Sequence, residues 1–107
     1  MTCYAIGLLH DVKMGPDIAA YLENIDATLT PFGGRFVIHG GPKQMLEGNL
    51  DSDLVAIAFP DRARAEAWYN SPAYRDILPL RSRNAQGAIF LIEGVDAEHK
   101  ATDILSA

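Results

Sequence analysis

Apolar residues along the chain fall alternately into short dense runs and into stripes at helical spacing, and the two patterns follow one another in a regular order. Cys3 to His10 (CYAIGLLH) is short, aromatic and aliphatic, and ends at Asp11, which predicts a strand. From Pro16, a residue suited to a first helical turn, Ile18, Leu22, Ile25 and Leu29 recur at helical spacing with Tyr21 and Phe32 beside them. Gly33-Gly34 ends that helix, because glycine takes the left-handed conformation a C-cap wants. Arg35 to Gly40 predicts a second strand, with Phe36 and Ile38 on one face and Val37 on the other. Gly41-Pro42 breaks the pattern, and Lys43 to Asp53 is a polar connection longer than a tight hairpin needs. Leu54 to Phe59 (LVAIAF) is a third strand, apolar at every position. Pro60-Asp61 leads into a helix over Arg62 to Asn70 with Ala63, Ala67 and Trp68 turned inward. Ser71-Pro72 restarts a short helical piece carrying Tyr74, Ile77, Leu78 and, beyond them, Leu80 and Arg81, which Pro79 is expected to end or bend. Gln86 to Val95 (QGAIFLIEGV) is the fourth strand.

The order β-α-β-β-α-β matches the ferredoxin-like split motif, an α+β fold with one four-stranded antiparallel sheet and two helices on one face. Residues 1–95 form this single domain, and residues 96–107 form a weakly patterned C-terminal tail. Strand composition adds a further expectation. Tyr4, Ile6 and Leu8 oppose Ala5 and Leu9; Leu54, Ala56 and Ala58 oppose Val55, Ile57 and Phe59; Ala88, Phe90 and Ile92 oppose Ile89 and Leu91. An antiparallel sheet with one wet face alternates apolar and polar residues, and these strands do not. Helices cover one face only, and Ile104 and Leu105 of the tail are too little to cover the other. A homodimer packed sheet to sheet, a dimeric α+β barrel, is the economical solution.

Composition narrows the class of partner. The chain of 107 residues is 49% hydrophobic and 21% charged, which suits one globular domain. Lys and Arg number 9 against 14 Asp and Glu, a net charge of −5, and no basic run interrupts that balance, so nucleic-acid binding is not expected. A lone cysteine, Cys3, can form no internal disulfide and no thiolate zinc site. No apolar run approaches a bilayer span and no basic region precedes the first strand, so a cytoplasmic protein with no membrane partner is expected.

The wording of the chain carries a resemblance as well. Pro31-Phe32-Gly33-Gly34-Arg35-Phe36, then Gly40-Gly41, Leu46-Glu47-Gly48, Phe59-Pro60, Ala67-Trp68-Tyr69-Asn70-Ser71-Pro72-Ala73-Tyr74 and Glu93-Gly94 resemble the bacterial domain-of-unknown-function family numbered 1330, over about residues 3–95. The resemblance implies a ferredoxin-like dimeric α+β barrel and no particular activity. The chain departs from the family pattern at Asn49-Leu50, where a tryptophan is usual, at Asp51-Ser52-Asp53, where a basic residue is common, and at His39, where arginine is frequent.

Several residues can carry chemistry. In this topology the ends of the first two strands share one edge of the sheet, which brings His10, Asp11 and His39 near Asp53. Two imidazoles there can converge on one small ligand if they share a face. No ligand motif for a metal is present, and neither a metal nor a cofactor is expected. Arg35 opens the second strand in apolar surroundings and can clamp a carboxylate, although an ion pair with Glu47, Glu93 or a partner-chain acid is the plainer reading. Glu47 can act as a general base if shielded from water, and Tyr69 and Tyr74 can donate hydroxyl hydrogen bonds at a pocket mouth. The glycine pairs do not match phosphate loops. Two readings result: a small homodimeric protein that binds, and as an enzyme transforms without cofactor, a small carboxylate-bearing organic molecule between sheet and helices, or a non-catalytic ligand-binding or protein-interaction module. In the first, His39 or Glu47 moves a proton while Arg35, His10, Tyr69 and Tyr74 hold the substrate.

Overall fold

The β-rich runs pair and the stripes coil over them. The structure, a computed structural model that describes residues 1–106, has the order β1 (Cys3–His10), α1 (Pro16–Leu29), a short 3-10 turn (Thr30–Phe32), β2 (Arg35–His39), β3 (Asp53–Phe59), α2 (Arg62–Tyr69), α3 (Pro72–Ser82) and β4 (Gln86–Glu93). The strands form one four-stranded sheet in the order β2-β3-β1-β4, antiparallel throughout, and the architecture is ferredoxin-like α+β. Pro16 opens α1, and Gly33, at φ 69, turns the chain out of the 3-10 turn toward β2. The Asp61 side chain accepts from the Arg64 N–H at 2.8 Å to start α2, and Ser71 Oγ accepts from the Tyr74 N–H at 3.3 Å to start α3.

Register assigns the faces. Cys3 pairs with Phe59, Ala5 with Ile57 and Gly7 with Val55, and this set points toward the helices. There it meets Tyr21, Ile25 and Leu29 of α1, Ala65 and Trp68 of α2, and Tyr74 of α3 in one core. Ala5, Ile57 and Phe59 keep 5, 4 and 1% of their surface, whereas Ile38, Phe90 and Ile92 on the opposite face keep 44, 41 and 50%. The helices therefore seal one apolar face and leave the other apolar face open.

Four local expectations are corrected. The register of β2 against β3 shifts between Phe36 and Ile38: Phe36 faces Ile57, but Ile38 faces Ala56 and His39 faces Val55. Val37 is thus the extra residue of a β-bulge, which puts Phe36 and His39 together on the helix face and Ile38 on the open face. In α2 the buried residues are Ala65 and Trp68, with Ala63 and Ala67 exposed, because the helix meets the sheet through a narrow stripe. Helix α3 continues past Pro79 to Ser82. The ring removes a single N–H, and the helix ends three residues later at Ser82, followed closely by Asn84, whose Nδ2 donates to the Leu80 carbonyl at 2.8 Å and whose N–H donates to the Arg81 carbonyl at 2.9 Å. Leu22, expected in the core, is 41% exposed, and Tyr21 and Thr28 take inward positions beside it.

Beyond β4 the chain projects. Ile104 and Leu105, in a short 3-10 segment (Ala101–Ser106), are 74 and 81% exposed. The radius of gyration, 15.3 Å, exceeds the roughly 13 Å of a globule of this length, in keeping with the exposed connection 40–52 and the exposed tail.

The close approach of β4 to β1 yields a test. Gly87 sits at φ 139, and a Cβ there would lie 1.8 Å from the Leu8 carbonyl oxygen. Gly87→Ala is expected to cost about 2 kcal/mol or more. Gly41→Ala, where an added Cβ meets nothing within 4 Å, is expected to stay within ~0.5 kcal/mol of the parent. Urea denaturation of the two variants measures both, and equal losses would contradict the close approach.

Candidate functional site

Small residues at the centre of the sheet leave room above it. On the helix face, β1 carries Ala5 and Gly7 between the larger Ile57 and Val55 of β3 and Ile89 of β4. α1 and α3 bridge this hollow instead of filling it, and leave a cleft of about 270 Å³ open on one side. Its floor is Ala5, Gly7, Val55 and Ile57; Ile18, Tyr21, Leu22 and Ile25 of α1 form one wall, and Trp68 with Tyr74 and Arg81 the other. Phe36, His39 and Asp53 close the end nearest β2. The bulge at Val37 is what brings His39 there, with its ring stacked on Phe36 at 4.4 Å between centroids and 14° between planes.

Polar groups are few and mostly ordered by one another. Trp68 Nε1 donates to Thr28 Oγ1 at 2.9 Å, and Thr28 Oγ1 donates to the Ile25 carbonyl at 2.7 Å, which fixes the indole against α1. Its ring packs on Tyr74 at 4.2 Å and on Phe59 at 5.3 Å. The hydroxyls of Tyr21 and Tyr74 share a hydrogen bond of 2.8 Å in the buried interior. Burial, and then the neighbouring Tyr74 oxygen, push the Tyr21 hydroxyl well above its ordinary range, so it stays protonated. Arg81 is 9% exposed, with its guanidinium carbon 5.9 Å from the centre of the Tyr21 ring. Burial works against its charge, but the oxygens of Tyr74 and Tyr21 outweigh that penalty and the pKa rises.

The residues singled out from the sequence separate into different places. His39 and Tyr74 line the cavity. His10 pairs with Gln86 and belongs by alternation to the open-face set of Tyr4, Ile6 and Leu8, the face opposite His39. Its Nδ1 lies 2.7 Å from Asp11 Oδ2 at a separate polar depression with Asp51 and Ser52, and Asp53 borders both hollows. Arg35 stands opposite Ala58 on the open face, exposed and without an ion pair among the described residues. Glu93 is held instead by Arg62, Nε to Oε1 at 2.8 Å. Glu47 is exposed in the connection 40–52 and borders neither hollow. Tyr69 packs beneath the Arg75 guanidinium, 4.7 Å from its ring centre, away from the cavity. Among the described residues, no three His, Cys, Asp or Glu side chains are grouped so as to hold a metal ion, and no helix is long and apolar enough to cross a membrane.

Arg81 was the residue without an assigned role. Its signal is positional: it follows Tyr74 and Leu78 on one helical face, so the inward stripe of α3 ends in a cation.

The family model described as "Domain of unknown function (DUF1330)" matches residues 2–95. A protein of unknown function from Rhodopseudomonas palustris is similar in structure, with 23% identity, a TM-score of 0.65, and coverage of 89% of this chain and 83% of its own. A protein from Jannaschia sp. CCS1, described as a dimeric ferredoxin-like protein of unknown function, shares 16% identity at a TM-score of 0.54 over 86% of this chain and 96% of its own. HapK from Hahella chejuensis shares 21% identity at a TM-score of 0.57 over 92% and 98%. At these identities the likeness shows the fold. No curated protein matches the chain.

The buried Tyr21 hydroxyl makes stability depend on pH in a definite direction. A folded-state pKa raised above the unfolded value near 10 contributes stability that is complete below about pH 10 and is lost as pH rises further, because the unfolded chain releases the proton first. Urea unfolding of the parent is expected to weaken above about pH 10 by up to ~1.4 kcal/mol per pH unit more than that of Tyr21→Phe. Parallel pH curves would show that Tyr21 is not held in its neutral form.

Proposed function

The chain belongs to the DUF1330 family, and from that premise and the cavity we propose that the protein binds a small organic molecule between α1, α3 and the sheet, without a cofactor. The observation that carries this reading is the cavity of about 270 Å³, close to the lower end of small-molecule sites, with apolar walls and a few polar groups at its edges. In an enzyme built on this site, His39 is the proton carrier, since it is the imidazole bordering the cavity. Tyr74 presents a hydroxyl to the same space. His10, Arg35, Glu47 and Tyr69 lie outside it and belong to a substrate site only if the connection 40–52 or a second copy of the chain brings them to it.

The open sheet face supports a second part of the proposal, a homodimer. Ile38, Phe90 and Ile92 are too exposed for a stable free surface, and a second copy offers the same apolar set. The dimeric description of the Jannaschia protein agrees with this assembly. Cys3, a free buried thiol whose pKa burial raises, suits a reducing compartment such as the cytoplasm.

A thermal-shift screen against a metabolite library tests the binding site. Leu22 borders the cavity from a half-exposed position, so Leu22→Trp is expected to obstruct the mouth at little cost to the core. A ligand at a hundredfold excess over Kd stabilises the parent by about 2.7 kcal/mol, and that gain should vanish in Leu22→Trp. Hits that stabilise both proteins equally would place binding elsewhere. For any ligand that is turned over, His39→Gln is expected to lower kcat by ~100-fold or more and leave binding intact; unchanged kcat would remove His39 from the chemistry.

A further inference from the structure

A buried cation in the cavity wall has no anion. Arg81 Nε is buried and has no hydrogen-bond partner, and among the described residues no carboxylate forms an ion pair with the guanidinium. Asp53 is the one carboxylate among the cavity's lining residues, at the end nearest β2, and it forms no ion pair with Arg81. A guanidinium keeps its charge at any ordinary pH and has five N–H donors in a planar fork, of which two tyrosine oxygens can satisfy only part. Leaving a buried charge incompletely paired is costly, and a fold retains such an arrangement most economically where a ligand completes it.

The surroundings specify the missing group. The Tyr21 and Tyr74 hydroxyls are linked at 2.8 Å, so one hydrogen is spent between them and the other remains to donate. Fork and hydroxyl together offer planar donors to an acceptor with two oxygens. Arg81 is the one arginine or lysine bordering the cavity, with His39 the other basic side chain at the far end, which matches a single negative charge at the Arg81 end and not a phosphate dianion. The remaining walls, with Ile18, Ile25, Ile57 and Trp68, are apolar.

We propose that Arg81, with the Tyr21 and Tyr74 hydroxyl pair, anchors the carboxylate of a small and otherwise apolar monoacid, one ring or a short branched chain in size, whose hydrocarbon part fills the cavity toward His39. This rests on the reading of the cavity as a ligand site and adds the charge, the class and the orientation of its occupant. It also moves the acid-recognition role from Arg35 on the open face to an arginine on the helix face.

Isothermal titration with benzoate, benzamide and phenyl phosphate tests the assignment. Benzoate and benzamide share size and shape and differ in charge. Benzoate is expected to bind the parent about tenfold or more tighter than benzamide. Arg81→Met should erase that preference and keep benzamide binding, and Arg81→Lys should restore part of it as a charge without the fork. Arg81→Met also removes the contacts of the guanidinium with the Tyr21 and Tyr74 oxygens, so the probes are compared on protein with native circular dichroism, and Arg81→Lys carries the same comparison should Arg81→Met not fold: a benzoate preference in Arg81→Lys as strong as in the parent would overturn the fork. Equal binding of benzoate and benzamide to the parent, or a preference that survives in Arg81→Met, would overturn the anchor and leave the cavity reading standing, provided Leu22→Trp blocks both. Preference for phenyl phosphate would overturn the carboxylate assignment. Failure of all three probes to bind would overturn the cavity reading together with the anchor.

Discussion

A four-stranded sheet that is apolar on both faces must have both faces covered, and this chain has helices for one. On the covered side, Cys3, Ala5, Ile57 and Phe59 meet Tyr21, Ile25, Leu29, Trp68 and Tyr74 in a single core. On the other, Ile38, Phe90 and Ile92 remain substantially exposed. Water contact with that layer costs roughly 25 cal/mol for each Å² that burial would remove from solvent. The proposed second copy follows from how that cost is met.

The covered side is itself incompletely filled, and the reason is local. Glycine and alanine on the central strand create space, the bulge at Val37 swings His39 toward it, and the capped restart at Ser71 lets α3 run past it as far as Arg81. A chain selected only for packing would close such a hollow with larger side chains, since voids lose dispersion contacts. Here its wall holds a linked pair of tyrosine hydroxyls and a guanidinium whose Nε has no hydrogen-bond partner, donors that suit a carboxylate.

Much of the fold was legible in the sequence because its determinants are local: the run Leu54 to Phe59 reads as a strand, Pro16 and Gly33 bracket a helix, and Ser71-Pro72 restarts another. The family resemblance carried by Gly33-Gly34-Arg35-Phe36 and the segment around Trp68 extended over the span that the family model matches. The site was less legible. A one-residue bulge inverts every later residue of a strand, and nothing in Arg35 to His39 announces it, so Ile38 and His39 exchange faces relative to simple alternation. His10 and His39 share an edge but not a face for the same reason. The burial of Arg81 is hard to read from sequence because a cation at the end of a helix normally favours solvent and the helix dipole; the packing of α1 against α3 is what buries it.

The most direct measurement of the central claim is the mass of the protein in dilute solution by sedimentation equilibrium or light scattering. Coverage of the open face by a second copy requires twice the 11.6 kDa chain mass, about 23 kDa, falling to the single-chain value, with native circular dichroism, when Phe90 and Ile92 are both replaced by lysine. A parent protein that runs as a stable, fully folded 11.6 kDa monomer at every concentration would contradict it.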